Sequence, residues 1–160
     1  MVKMKKISLS KKDIKALNEK IAFNFQLPVK SRVEVVFINE NEKIITLEDK
    51  PVLFELNEKI FPTLMLLQEH SEIALKKVVV DMGAVKFVAN GADVMRPGIV
   101  SFDENLAKDE IVLIVDERFG KSLAIGLALL SASELKAIDK GKAIKNIHYV
   151  GDKIWNFKRM

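Results

Sequence analysis

The sequence predicts an α+β protein in two parts: a small N-terminal α/β domain over residues 1–75, then a small β-barrel with short helices over 76–160. Three observations carry this. Short runs rich in Val, Ile and Phe, separated by polar turns, fill both halves. Two helix starts carry the same local device, a serine three residues before an acid. The chain has 160 residues, 49% apolar and 30% charged, which is enough for two modest cores.

The first helix start is Ser10-Lys11-Lys12-Asp13, with Leu9 and Ile14 placed as a hydrophobic staple and Ile14, Leu17 and Ile21 at helical spacing. A meander follows. Arg32 to Ile38, Lys43 to Leu47 and Pro51 to Leu56 are strands, separated by the polar turns 39–42 and 48–50. Phe61 to Leu67 is apolar almost all round and reads as a buried helix with Pro62 in its first turn. The chain turns polar between Ser71 and Lys77, where the domain boundary is placed.

In the second half Val78 to Val80 opens a strand. Gly83 and Gly91 bracket a short helix, Ala84 to Asn90. Strands are expected at Ile99 to Phe102, Ile111 to Val115 and Ser122 to Leu130, with a hairpin tip at Asp116 to Lys121. The second cap, Ser131-Ala132-Ser133-Glu134, starts a helix that should stop at Lys140-Gly141. Ile147 to Val150 and Ile154 to Phe157 close the set around a Gly151-Asp152 turn. Strands joined by short turns favour a barrel that leaves few edges exposed.

Composition excludes several chemistries. There is no cysteine, so disulfides, thiolate nucleophiles and cysteine-held zinc are absent. The two histidines, His70 and His148, stand at no ligand spacing, and no P-loop, Rossmann or nucleophile-elbow pattern occurs. Asp81 precedes a helix start, where a carboxylate is favoured by the helix dipole. The expectation is a non-enzyme without cofactor or metal. With no signal peptide and no run long enough for a membrane span, a cytoplasmic protein is expected.

Net charge is +4, but its distribution is uneven. Residues 1–20 hold seven Lys against two acids, and residues 136–160 hold seven Lys or Arg against two, while the middle is acidic. Basic regions attract phosphate backbones if they share a face.

The stretch 80–100 builds a backbone-rich ledge. Glycines at 83 and 91 and alanines at 84 and 92 would let a nucleic-acid strand approach closely. Lys86 and Arg96 would meet phosphates, and backbone groups near Gly91-Ala92 would read unpaired bases. From the residues alone, a purely structural reading, with glycines as caps and alanines as packing, stands equally.

The run Val80-Asp81-Met82-Gly83-Ala84, then Asn90-Gly91-Ala92-Asp93-Val94-Met95 and Pro97-Gly98-Ile99, resembles the signature of the PUA domain, named after pseudouridine synthases and archaeosine transglycosylases. The likeness continues through Ile111 to Val115, Leu123 to Gly126 and Lys140 to Ala143. Phe61 to Leu67 and Asn146 to Trp155 extend it to the malignant-T-cell-amplified-sequence family, whose archaeal members have this two-domain size. The resemblance implies a PUA-like barrel behind a small α/β domain. It implies RNA binding in translation, at the small ribosomal subunit, in initiation, reinitiation or recycling. The RNA would be the acceptor end of tRNA or ribosomal RNA. Eukaryotic relatives bind the density-regulated protein, which implies a protein partner through the N-terminal domain. RNA-binding residues carried over are Lys86, Asn90, Gly91, Ala92, Asp93, Val94, Arg96, His148 and Tyr149, the last two as stacking candidates. The alternative is an accessory, RNA-presenting subunit of an RNA-modifying enzyme. A third reading is a protein-interaction module that has lost RNA.

Overall fold

The computed structural model describes residues 4–157. These divide into two compact units between Ala74 and Leu75, the second running Leu75–Trp155 and Asn156 grouping with the first.

The N-terminal unit is a five-strand antiparallel sheet in the order β1 (Lys6–Ser8), β2 (Val33–Asn39), β3 (Glu42–Leu47), β4 (Lys50–Leu56), β5 (Lys59–Pro62). Helix α1 (Lys11–Glu19) starts as its sequence requires. Asp13 N–H donates to Ser10 Oγ at 3.1 Å and Ser10 N–H donates back to the Asp13 carboxylate at 3.3 Å. Ile14 is buried with Leu27, Val35, Ile45 and Leu53, and Leu9 packs on the same cluster, completing the staple. Buried Asn18 donates to the Leu27 carbonyl and accepts from the Leu27 N–H, fixing the segment after α1 against it.

The helix expected at Phe61 to Leu67 is split. Phe61 and Pro62 end β5, where Phe61 stacks on Phe54 with ring centroids 5.2 Å apart. Helix α2 (Leu64–Glu69) begins after Thr63, whose hydroxyl accepts the Leu66 N–H and donates to the Pro51 carbonyl. Proline has no N–H to give, so it suits the end of an edge strand.

The C-terminal unit is a six-strand, nearly closed barrel. Its strands run β7 (Val94–Met95), β11 (Lys142–Tyr149), β10 (Ser122–Ala128), β9 (Ile111–Asp116), β6 (Lys76–Val80), β8 (Ile99–Phe102). All pairs are antiparallel except β6 with β9. The two outermost strands, β7 and β8, are joined by a single 3-10 turn at Arg96–Gly98. The core is aliphatic, with Val78, Val80, Val112, Ile114, Ala124 and Ile144 fully buried.

Two helices complete the unit. Helix α3 (Met82–Ala89) begins before Gly83, which lies inside the first turn, because the Asp81 carboxylate caps it by accepting the Ala84 N–H at 2.8 Å. Helix α4 (Ala132–Ala137) has the expected Ser131/Glu134 capping box but ends at Ala137 rather than Lys140. Gly141, with φ +107°, serves the turn into β11 instead. No strand forms at Ile154 to Phe157. β11 ends at Tyr149, and the Asp152 carboxylate accepts the Trp155 N–H, curling the chain into turns. Among the described residues no helix is long and apolar enough to cross a membrane.

Candidate nucleic-acid interface

Apart from its alanines, helix α3 has three apolar side chains that folding leaves exposed or half-exposed: Met82, Val85 and Phe87. Only Val88 is fully buried. Phe87 is 58% exposed, with the Lys86 ammonium 5.6 Å from its ring centroid. Between α3 and the 94–98 segment lies an open groove of about 590 Å³, lined by Gly83, Ala84, Phe87, Met95, Pro97 and Lys142 among others. Met95, 48% exposed, faces it from the strand side. The two walls meet closely at the bottom. A Cβ on Gly98 would stand 3.1 Å from the Ala84 methyl, and Gly98 accepts the Asp81 N–H at 2.9 Å. The groove is thus mainly apolar and narrow-based, with Asp81, Asp93 and Lys142 as its charged lining and Lys86 beside Phe87, a form that accepts a flat apolar ring.

The loop that leaves α3 is tightly bound internally. Gly91 N–H donates to Val88 and Ala92 N–H to Phe87, so neither is free to read a base. The Asn146 side-chain amide donates to the carbonyls of Val88 and Ala92, both at 3.0 Å. Asp93 accepts the Asn146 N–H at 2.8 Å and pairs with Lys142 at 3.0 Å. Burial alone would raise the Asp93 pKa, but the Asn146 N–H and the Lys142 ammonium outweigh it and hold it below the usual carboxylate range. Asn90 caps its own helix by donating to the Lys86 carbonyl at 2.8 Å.

The structure corrects the expectations for His148, Val94 and Arg96, as it does for the Gly91 and Ala92 N–H groups. His148 is fully buried, with Nδ1 2.9 Å from the Asp152 carboxylate, so it cannot stack on a base. Val94 is 1% exposed and belongs to the core. Arg96 is turned inward. Its Nε donates to the Leu135 carbonyl at 2.7 Å, Nη1 approaches the Ile99 carbonyl at 3.4 Å, and the guanidinium lies 5.6 Å from the Phe102 ring. It ties α4 to the barrel. Tyr149, half-buried, packs on the core and on Gly91. Lys86, Asn90 and Ala92 remain exposed, whereas Phe87, Met95 and Lys142 were missed. Phe87 carried a readable signal, four residues past Gly83 and so on the same helix face.

Gly91 has φ +96°, and a Cβ there would lie 2.8 Å from the Tyr149 ring. Gly91→Ala should therefore cost about 2 kcal/mol in backbone strain and displaced ring. Equilibrium urea unfolding measures this. A loss below about 0.5 kcal/mol would show that the loop relaxes freely.

Comparison with known proteins agrees with this geometry. Residues 76–150 match the family model described as PUA domain, and residues 5–70 match one described as a domain of unknown function, DUF1947. The chain is 46% identical over 159 residues to uncharacterized protein MJ1432 of Methanocaldococcus jannaschii, covering 96% of this chain and 97% of that one. It is 34% identical over 137 residues to translation machinery-associated protein 20 of Eremothecium gossypii, covering 82% and 75%. It is 37% identical over 136 residues to malignant T-cell-amplified sequence 1-A of Xenopus laevis, again covering 82% and 75%. Among solved structures, a hypothetical protein, PH0734.1, from Pyrococcus horikoshii superposes with a TM-score of 0.78 at 37% identity, covering 95% of this chain and 98% of that one. With both halves matched in order and relatives aligned over most of their length, the chain belongs to the malignant-T-cell-amplified-sequence family of PUA-domain proteins.

Proposed function

We propose that this protein is a non-enzymatic RNA-binding factor of translation that takes a single-stranded RNA end into the groove beside α3. The observation that carries the reading is that groove itself: a mainly apolar slot with an exposed Phe87 and Met95 on its walls, Lys142 in its lining and Lys86 over the Phe87 ring. Unpaired bases are recognised by stacking and by edge contacts, with phosphates held by nearby cations. Kinship with a translation machinery-associated protein supports the setting. The RNA is the acceptor end of tRNA or a ribosomal RNA segment, and the site of action is the small ribosomal subunit in initiation, reinitiation or recycling. Lys86, Asn90 and the exposed Ala92 methyl are the contacts on this reading. Gly91, Asp93, Val94, Arg96 and Tyr149 shape the ledge from behind. The same reading gives the N-terminal unit to a protein partner. It is supported by a groove of about 300 Å³ floored by Phe37 and Ile45 and rimmed by Lys20, Lys43 and Glu55.

A salt series of binding to RNAs with unpaired 3′ ends tests this. Lys86→Ala should weaken binding and reduce the salt slope by about 0.7 for one lost single-strand phosphate contact. Arg96→Ala should instead lower stability by about 2 kcal/mol, since it strips hydrogen bonds from two carbonyls, and leave the slope unchanged. Affinity no greater than that of an unrelated protein of equal charge would end the proposal.

A further inference from the structure

We infer that the β9–β10 hairpin tip is a second RNA contact, in which Phe119 and the Arg118 guanidinium beside it stack on an unpaired base. The inference rests on the RNA-binding reading above and extends its footprint. Phe119 is 76% exposed, the most exposed large apolar side chain among the described residues. No folding role accounts for it. The Arg118 guanidinium stands 6.0 Å from its ring centroid, giving a flat, cationic platform.

The tip is held rigid from beneath. The Asp116 carboxylate accepts the backbone N–H groups of Arg118, Phe119 and Lys121. Led by the Phe119 N–H, these bonds hold its pKa below the usual carboxylate range, so it stays an acceptor under ordinary conditions. Gly120, at φ +64°, closes the turn with open space around it. Phe119 therefore loses little freedom on binding, because its backbone is already fixed.

The guanidinium on the exposed ring favours an unpaired base with its phosphate as the occupant. Arg118 lies beside the ring and Lys121 two residues on, while the two nearby acids, which balance their charge, turn their oxygens to backbone N–H groups. Asp116 is buried in the turn, and the Glu117 carboxylate accepts the Met82 N–H at 2.9 Å. That last bond also fixes the place of the tip. It joins the hairpin to the first residue of α3, the helix that walls the groove. A strand lying in the groove and leaving past the N-terminal end of α3 would meet Phe119 next.

Fluorescence anisotropy with an RNA bearing an unpaired end, measured at several salt concentrations, tests this on the full chain. Phe119→Ala should weaken binding roughly ten-fold, the size of one lost base–aromatic stack, with the salt slope and the unfolding midpoint unchanged. Phe119→Trp should keep the affinity, and its added indole should be quenched by RNA, read as the difference from the parent chain with its Trp155. Wild-type affinity in Phe119→Ala, with Lys86→Ala weakened, overturns the tip and leaves the groove standing; the tip then belongs to another class of partner. If no variant and no parent chain binds above a charge-matched control, the RNA reading falls and the tip falls with it.

Discussion

Gly126→Ala is expected to lower the unfolding free energy by about 3 kcal/mol, because the added methyl has nowhere to go. A Cβ at this position would lie 2.5 Å from Ile144 Cγ2, 3.0 Å from Ile114 Cδ1 and 3.1 Å from the Lys145 carbonyl oxygen. Ile144 and Ile114 are fully buried, and the carbonyl is backbone of the paired strand β11. The neighbours are therefore confined on all sides. The strand is also irregular here. Ile125 pairs with His148 but Gly126 with Asn146, so Ile147 is the extra residue of a bulge. A bulge beside a glycine brings the two backbones close, and a methyl would force them apart. Chemical denaturation measures the loss. A double-mutant cycle with Ile144→Ala identifies its cause. Ile144→Ala removes the nearest clashing carbon, so the double variant should be more stable than additivity allows by at least about 1 kcal/mol. Strict additivity would place the strain elsewhere.

What the sequence disclosed and what it hid divide by the range of the interaction. The capping boxes at Ser10 and Ser131 are closed by residues three positions away, so both helix starts were readable. The strand cores at Val33, Val78 and Ile111 were readable because β-branched runs have few other uses. The ends of elements were less visible. α4 stops early although Gly141 lies close by, because that glycine is needed in the turn to β11. Thr63, not Pro62, starts α2, and the reason lies in the Pro51 carbonyl twelve residues back. The site was hidden in the same way. Arg96 looks like a phosphate ligand until Leu135, 39 residues later, takes its Nε–H. His148 and Tyr149 look alike on a strand. Period-two alternation sends one into the core and leaves the other half-covered over Gly91. Asn146, which holds the α3 exit loop by three hydrogen bonds, reaches back more than 50 residues, and no local pattern marks it.

Asp152→Ala should cost about 3 kcal/mol, and the size of that cost should depend on pH in a predictable direction. The carboxylate ends β11 by accepting the Tyr149 N–H at 2.9 Å and the Trp155 N–H at 2.8 Å, and it meets the buried His148 imidazole at 2.9 Å. Burial alone would raise its pKa. The His148 hydrogen bond and the two backbone N–H groups outweigh burial, and the pKa lies below the ordinary value. A carboxyl depressed in the folded state binds its proton more weakly there than in the unfolded chain. Its contribution is thus complete above the unfolded pKa and is lost as pH falls through the folded one. The stability gap between wild type and Asp152→Ala should stay flat above about pH 4 and narrow on further acidification. Asp152→Asn keeps an acceptor oxygen of the same shape, so it should lose less, about 1–2 kcal/mol. Urea unfolding of the three proteins across an acid pH series decides the matter. A gap already narrowing near neutral pH would contradict a carboxyl whose pKa is lowered by folding. A gap that widens in acid would mean that the carboxyl binds its proton more tightly in the folded chain than in the unfolded one, opposite to the direction set by its hydrogen bonds.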